Sequence, residues 1–371
     1  MHIAIGIARA QSFGQQVLEG ILARTERLSW TVMPQLRGPL RCEDLGPPGR
    51  IQGAISLVPD DACLRLIRRR RLPLVLVQAS DQDIPQVIPD DRALGRLAAE
   101  HLLQRGFRRL AVCPWVPARF ASDRAEGFIA TAASTTTCQI HDGRLEAEVG
   151  FYDRQVLRRW LRRLPRGTAI MATLIGQALD CLNLLQELGR RVPEDIALIC
   201  AEEDADIAAM GRPQITTVHF NGHGIGLAAM AMLERLLDGR PLRARIQRGS
   251  PLGVIQRGSC DLWASDDPLL LRAVSVIADG HAQLGFCVGD VVAILGCSRR
   301  SLEQRFRDGL GRGVADEIRR CRLDQAARLL RDTDRLLLDV ALACGWSSAS
   351  QLCRRFKRHY GCTPQQWRLR G

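Results

Sequence analysis

Between residues 286 and 371 there are 17 basic residues against 9 acidic ones, so under a quarter of the 371-residue chain carries most of its net charge of +12. Almost all of these cations are arginine, Lys357 being the only lysine in the chain. A guanidinium is planar with paired donors, which suits bidentate contacts to phosphate and to the O6/N7 edge of guanine. Within this segment two stretches share a layout. One runs from Val291 through Gly296, Cys297 and Ser298 to Phe306; the other runs from Val340 through Gly345, Trp346 and Ser348 to Lys357. In each, a short apolar helix ends on glycine, a bulky or thiol residue follows, and a serine stands as N-cap of a second helix. Leu302/Phe306 and Leu352/Phe356 lie four apart, on the face that such a second helix turns to its core. Gly296 and Gly345 supply the positive φ of a tight inter-helix turn. This is helix-turn-helix logic, repeated after about fifty residues. A bundle with a solvated basic face accounts for one such unit more readily than for two.

The elements that would position these units differ along the chain. From residue 2 to about 257, short β-rich apolar runs alternate with longer amphipathic ones. The pattern predicts strands at Ile3–Ala8, Trp30–Leu36, Gly53–Val58, Leu74–Gln78, Arg109–Cys113, Ala169–Thr173 and Ile196–Ala201. It predicts helices at Phe13–Arg27, Ala93–Arg105, Arg124–Ala133, Arg154–Leu164, Gln177–Leu188 and Ile225–Leu237. Such alternation implies parallel sheets covered on both faces, and the number of repeats suggests two lobes. Residues 258–267 break the alternation and read as a linker between a domain at 1–257 and a domain at 268–371. Beyond Pro268 the sequence reads as helix throughout, with Val314–Leu330 expected to connect the two units.

Several functions are excluded by what the sequence lacks. The start, Met1-His2-Ile3-Ala4-Ile5, is no secretory leader, and no apolar run approaches the roughly 18 residues of a membrane span. The 13 cysteines are odd in number and never occur as C-x-x-C, which fits reduced thiols in a cytoplasmic protein. The seven histidines show no metal-ligand spacing. No P-loop, G-x-S-x-G or dinucleotide fingerprint is present, so neither catalytic residues nor a cofactor or metal is expected.

The carboxy-terminal stretch, with its tail Phe356-Lys357-x-x-Tyr360-Gly361-Cys362-Thr363-Pro364-x-x-Trp367-Arg368, resembles the AraC/XylS family of bacterial regulators over Val288–Arg368. The resemblance implies a double helix-turn-helix that binds double-stranded DNA. It places Arg300, Glu303 and Gln304 at base edges, with Ser298 and Arg299 beside them. On the second helix the matching positions are Ala349, Ser350 and Arg354, with Ser348 and Gln351 adjacent. Arginine reads guanine, glutamine adenine, and glutamate the cytosine N4 donor. Ala349 and Ser350 are small, so this unit is expected to depend more on Arg354, Arg355 and Lys357 at phosphates.

Upstream, three stretches resemble LacI-type effector domains of the periplasmic-binding-protein fold: Val87-Ile88-Pro89-Asp90-Asp91, Gly95 to Gly106, and Arg124-x-x-Gly127-Phe128. So do Val192-Pro193-Glu194-Asp195-Ile196 and Ile215-Thr216-Thr217-Val218. The implied fold is a two-lobed α/β domain closing on a small sugar or related metabolite, followed by the all-α DNA-binding domain. A homodimer is expected, with RNA polymerase a candidate partner and no membrane. Ligands of open α/β folds sit at the carboxyl ends of strands, which selects Gln11, Phe13, Trp115, Arg124, Glu202 and Asp204. The sequence departs from the family at Leu174-Ile175, where an Asn-Asp or Thr-Asp pair is usual, and at Glu202, where an aspartate is usual. Both departures predict an effector with fewer hydroxyls than a pentose, or a sensor that no longer binds one.

Overall fold

The computed structural model describes residues 1–9, 12–113, 118–134, 139–142, 153–261 and 267–368. The chain opens with β1 (His2–Gly6), α1 (Ser12–Leu28), β2 (Thr31–Gln35), β3 (Gly53–Ser56), α2 (Asp61–Arg69), β4 (Leu74–Leu76) and β5 (Gln86–Pro89). It continues through α3 (Asp91–Gln104), β6 (Arg109–Val112), α4 (Arg119–Ala133), β7 (Gln139–Asp142), α5 (Arg154–Arg163), β8 (Thr168–Ala172) and α6 (Ile175–Glu187). Then come β9 (Ile196–Cys200), α7 (Ala205–Met210), β10 (Thr216–His219), α8 (Gly222–Leu237), β11 (Ile246–Gly249) and β12 (Gly253–Ile255).

These strands form two six-stranded sheets, ordered β11-β5-β4-β3-β1-β2 and β12-β10-β9-β8-β6-β7. The first is parallel throughout; in the second only β12 runs antiparallel, pairing Thr217 with Ile255. The chain therefore changes lobe after β5, after β10 and again after β11. Burial on both faces explains why the central strands read as apolar runs. Along β1, Ile3 and Ile5 meet α1 and α8, while Ala4 meets the layer of α2. In the second lobe α3 and α4 cover one face, and α5, α6 and α7 cover the other.

The predicted strands and helices of this region lie on observed elements. Two short helices, α2 and α7, and five short strands, β5, β7, β10, β11 and β12, lie outside the predicted elements. β7 and β11 are polar edge strands with no fully buried residue, so they carry no apolar alternation to read. The linker expected from residue 258 is tied down at its start. Ser259 and Cys260 are buried, and the Ser259 hydroxyl donates to the Leu198 carbonyl at 2.6 Å. Residues 262–266 lie outside the described part.

The second domain contains α9 (Pro268–Gly280), α10 (Val288–Leu295), α11 (Arg299–Leu310), α12 (Val314–Asp332), α13 (Leu337–Ala343), α14 (Ala349–Tyr360) and α15 (Pro364–Arg368). Two cores hold it together. Leu302 and Phe306 of α11 sit with Leu270, Ile277, Val291 and Ile318; Leu352 and Phe356 of α14 sit with Leu323, Ala326, Val340 and Trp346. Since α12 contributes to both, it fixes one unit relative to the other.

In the second lobe, α3 and α4 touch backbone to backbone. A Cβ on Gly95 would collide with the carbonyl of Arg124, and one on Gly127 with the carbonyl of Arg92. Gly95→Val is therefore expected to destabilise the lobe by roughly 3 kcal/mol or more, read as a lowered urea midpoint. By contrast, a Cβ added to Gly176 on α6 would meet nothing within 4 Å. Gly176→Ala should leave stability unchanged or raise it by up to about 1 kcal/mol, with the urea midpoint unchanged or higher.

Candidate nucleic-acid interface and effector site

Each recognition helix is built the same way. Gly296 adopts φ 62° at the end of α10, and the Ser298 hydroxyl accepts from the Ser301 amide at 3.1 Å to start α11. In the second unit Gly345 adopts φ 73°, and Ser348 accepts from the Gln351 amide at 3.3 Å to start α14. Gly345 is demanded twice over, because a Cβ there would also lie 2.7 Å from the carbonyl of His281. Arg322 of α12 holds this corner by donating to the carbonyls of His281 and Phe286 at 2.7 and 2.9 Å.

With Leu302/Phe306 and Leu352/Phe356 buried, the opposite faces are open. Arg299, Arg300, Gln304 and Arg307 are exposed on α11; Ser350, Gln351, Arg354, Lys357 and Arg358 are exposed on α14. Ala349 and Arg355 are half-buried. Arg307 and Arg358 were not among the expected contacts, although helical spacing puts them on the same exposed faces. Gln304 donates to Asp308 at 2.8 Å, an exposed local bond that water or a base can replace. Glu303 is placed differently from the other expected base readers. It is half-buried, and its carboxylate accepts from the Val314 amide at 3.4 Å, at the amino terminus of α12. There it stabilises that helix end, whose N-cap Gly313 has no side chain to do so.

The two units meet through a buried ion network on α12. Glu317 has no exposed surface and takes Arg312 at 2.6 Å and Arg320 at 2.7 Å. Arg320 also bonds Asp324, which accepts from the Tyr360 hydroxyl at 2.9 Å. Burial works to raise the Glu317 pKa, but the charges and donors of Arg320 and Arg312 outweigh it and hold it at about 2.

In the effector domain, Arg124 is the most fully placed of the expected ligand residues. Only 6% exposed, it donates from Nε to Asp91 at 2.9 Å and from Nη1 to the Thr173 carbonyl at 2.7 Å, with its guanidinium 5.0 Å from the Phe120 ring centre. Burial pushes the Asp91 carboxyl above its usual range, against the pull of Arg124. Asp91 opens α3, and the Pro89-Asp90-Asp91 turn was its only signal in the sequence. Phe13 is placed edge-on to Phe220 at 5.6 Å, joining an element of the first lobe to one of the second. Glu202 and Asp204 are occupied as helix caps. The N-cap of α6 is Leu174, which has no polar side chain, and Glu202 supplies the missing acceptor to the Ile175 amide at 2.8 Å. Asp204 caps α7 through the Ile207 amide at 3.1 Å. Gln11 and Trp115 lie outside the described residues.

Glu317 sets a pH dependence. Its folded pKa of about 2 lies below the ordinary glutamate value, so its stabilisation is present above pH 4.5 and is lost as pH falls toward 2. By that shift Glu317→Gln should remove about 3 kcal/mol at pH 7 and flatten the acid limb of the unfolding curve. Chemical denaturation between pH 2 and 7, followed by tryptophan fluorescence, checks both.

A family model described as a periplasmic binding protein-like domain matches residues 99–260, and one described as a helix-turn-helix domain matches residues 291–370. The xylose operon regulatory protein of Haemophilus influenzae is 25% identical over 330 residues, covering 86% of this chain and 85% of that protein. Its counterpart from Escherichia coli K12 is 28% identical over 287 residues, covering 76% of this chain and 73% of that protein. The solved structure of the xylose-binding transcription activator xylR aligns with 99% of this chain and 97% of that chain, with a TM-score of 0.60 at 23% identity. A dimeric Lac repressor structure aligns with 71% of this chain and 100% of that chain, with a TM-score of 0.54 at 21% identity. Those relatives are transcription regulators and not enzymes, and the likeness runs through both domains. With an AraC-type helix-turn-helix domain at 291–370, a periplasmic-binding-protein-like effector domain at 99–260 and similarity to xylose operon regulatory proteins through both, the chain is a DNA-binding transcriptional regulator.

Proposed function

We propose that this regulator is cytoplasmic and dimeric, and that a small, neutral, sugar-like effector bound between its lobes changes how it holds DNA. The effector unit would end near Asp261 and the DNA-binding unit begin at Asp267. The observation that carries the reading is the buried Arg124–Asp91 pair at the carboxyl edge of the second sheet. A guanidinium already neutralised by a carboxylate suits hydroxyls better than a second anion, because an acidic ligand would have to displace Asp91. Two named relatives are regulators of xylose operons. Here the positions after β8 hold Leu174 and Ile175, the latter packed into the core, and the Glu202 carboxylate is spent on the Ile175 amide. A ligand with fewer hydroxyls than a pentose fits those positions. The same two facts favour the second reading, a constitutive DNA-binding protein whose sensor has degenerated.

A thermal-shift panel of pentoses, deoxysugars, hexoses, sugar acids and polyols separates the two. A ligand at a hundred times its dissociation constant adds about 2.7 kcal/mol, seen as a raised midpoint that Arg124→Ala abolishes. A flat panel with DNA binding intact would overturn a sugar-like effector and favour a different effector class or the second reading.

At the DNA, Arg300 is proposed to read bases and Arg354 to hold phosphate. On duplexes recovered by the protein from a randomised pool, Arg300→Ala should cost about 1–3 kcal/mol and relax the selected sequence. Arg354→Ala should weaken selected and scrambled duplexes alike, and lower the salt slope by about 1.

A further inference from the structure

The helix that carries Asp91 at one end touches the DNA-binding domain at the other. α3 has 14 residues, a rigid rod of about 21 Å. At its amino end Asp91 is held by Arg124. At its carboxyl end the Gln104 carbonyl accepts from Nη1 of Arg312 at 2.6 Å, across 208 residues of sequence. Arg312 is the residue that follows Gly311, the glycine ending α11, and it is also a partner of Glu317. From Glu317 the ion network runs through Arg320 and Asp324 to Tyr360, the last residue of α14. The network thus starts just past one recognition helix and finishes at the end of the other.

Around this contact the two domains meet over a small, mixed surface. Arg105, fully buried, donates to Nε2 of His101 at 3.1 Å. Burial first, then the charges of Arg105, Arg320 and Arg312, keep that imidazole well below its usual pKa, so it accepts as a neutral ring. The Trp367 ring lies over Gly253 of β12, where a Cβ would come within 3.3 Å of it. Between these contacts, a cavity of about 240 Å³ is lined by His101, Gln104, Arg320, Asp324, His359 and Trp367. A partly filled interface of this kind lets one body shift on the other, whereas a close-packed one would resist it.

We propose that α3 is the transmission element of this regulator, relaying the state of the Asp91–Arg124 site through the Gln104–Arg312 contact to α12, and so setting the two recognition helices relative to each other. This rests on the effector reading above for its purpose, but it needs no effector for its test. A chain of contacts becomes a coupling only when a change at one end is felt at the other, and a double-mutant cycle measures that.

The experiment is hydrogen–deuterium exchange on the full chain without ligand, comparing wild type, Asp91→Asn, Arg312→Gln and the double variant. Peptides from α11, α12 and α14 are the readout, and those from β8 and β9 report that the second lobe remains folded. The expected result is at least a threefold rise in α12 exchange on Asp91→Asn, with β8 and β9 unchanged, and no such rise when the same change is made in the Arg312→Gln background. If β8 and β9 also lose protection, Arg124→Lys replaces Asp91→Asn in the cycle. An α12 that ignores the change at the site, or that responds equally in both backgrounds, overturns the proposal. Neither outcome bears on the thermal-shift panel, so the failure of one reading is distinguishable from the failure of the other.

Discussion

A carboxylate wholly buried in protein governs the DNA-binding half of this molecule. Glu317 is buried completely, and a lone ion there would carry a desolvation penalty of several kcal/mol. It is tolerated because Arg312 and Arg320 approach from either side and satisfy its lone pairs. Those arginines are then no longer free to move. Arg312 fixes where the chain leaves α11, and Arg320 passes the constraint through Asp324 to the end of α14. Neither helix-turn-helix unit owns the network, which lies on the helix both share. Spacing between the recognition helices is therefore a property of α12, and the two apolar cores on its flanks make it a stiff one.

The effector half solves a different problem, that of bringing together two sheets whose strands are interleaved along the chain. Crossovers leave α3 covering the second lobe and α8 covering the first, each crossing another helix at a glycine. Gly226 of α8 meets the backbone of α1 at Val17 as Gly95 of α3 meets that of α4 at Arg124. Contacts this close leave little freedom in how the helices lie, and that is what puts Arg124 beside Asp91. At the carboxyl end of the second sheet, a residue that cannot fill its local role draws in another from further along the chain. Leu174 cannot cap α6, so Glu202 does, and its carboxylate is committed to the backbone. A helix terminus left without an acceptor is costly enough to recruit one from 27 residues away.

Placing a titratable residue in a site takes more than its chemistry. Glu303 is of the right type and position to read a base, yet it turns toward the amino terminus of α12, where Gly313 leaves the helix end uncapped and receptive to a negative charge. Arg300 and Arg354, with no such local claim on them, remain on the open faces of their helices.

Near neighbours encode what was legible in the sequence. The serine caps at 298 and 348, the glycines at 296 and 345 and the Leu/Phe pairs four residues apart each concern one turn of backbone, and each is where it was expected. The central strands of both sheets were legible too, because burial on two faces leaves an apolar run. Edge strands such as β7 and β11 were not, because a strand with an open flank needs no apolar pattern. The tertiary structure alone decided the pairings that cross the chain: Asp91 with Arg124, Glu203 with Arg257, and Gln104 with Arg312, separated by 33, 54 and 208 residues. A charged side chain looks the same in sequence whether it is bound for water, for DNA or for a buried partner. Which of these it meets depends on how the lobes interleave and on which helix end lies within reach, and these are decided only when the whole chain has packed.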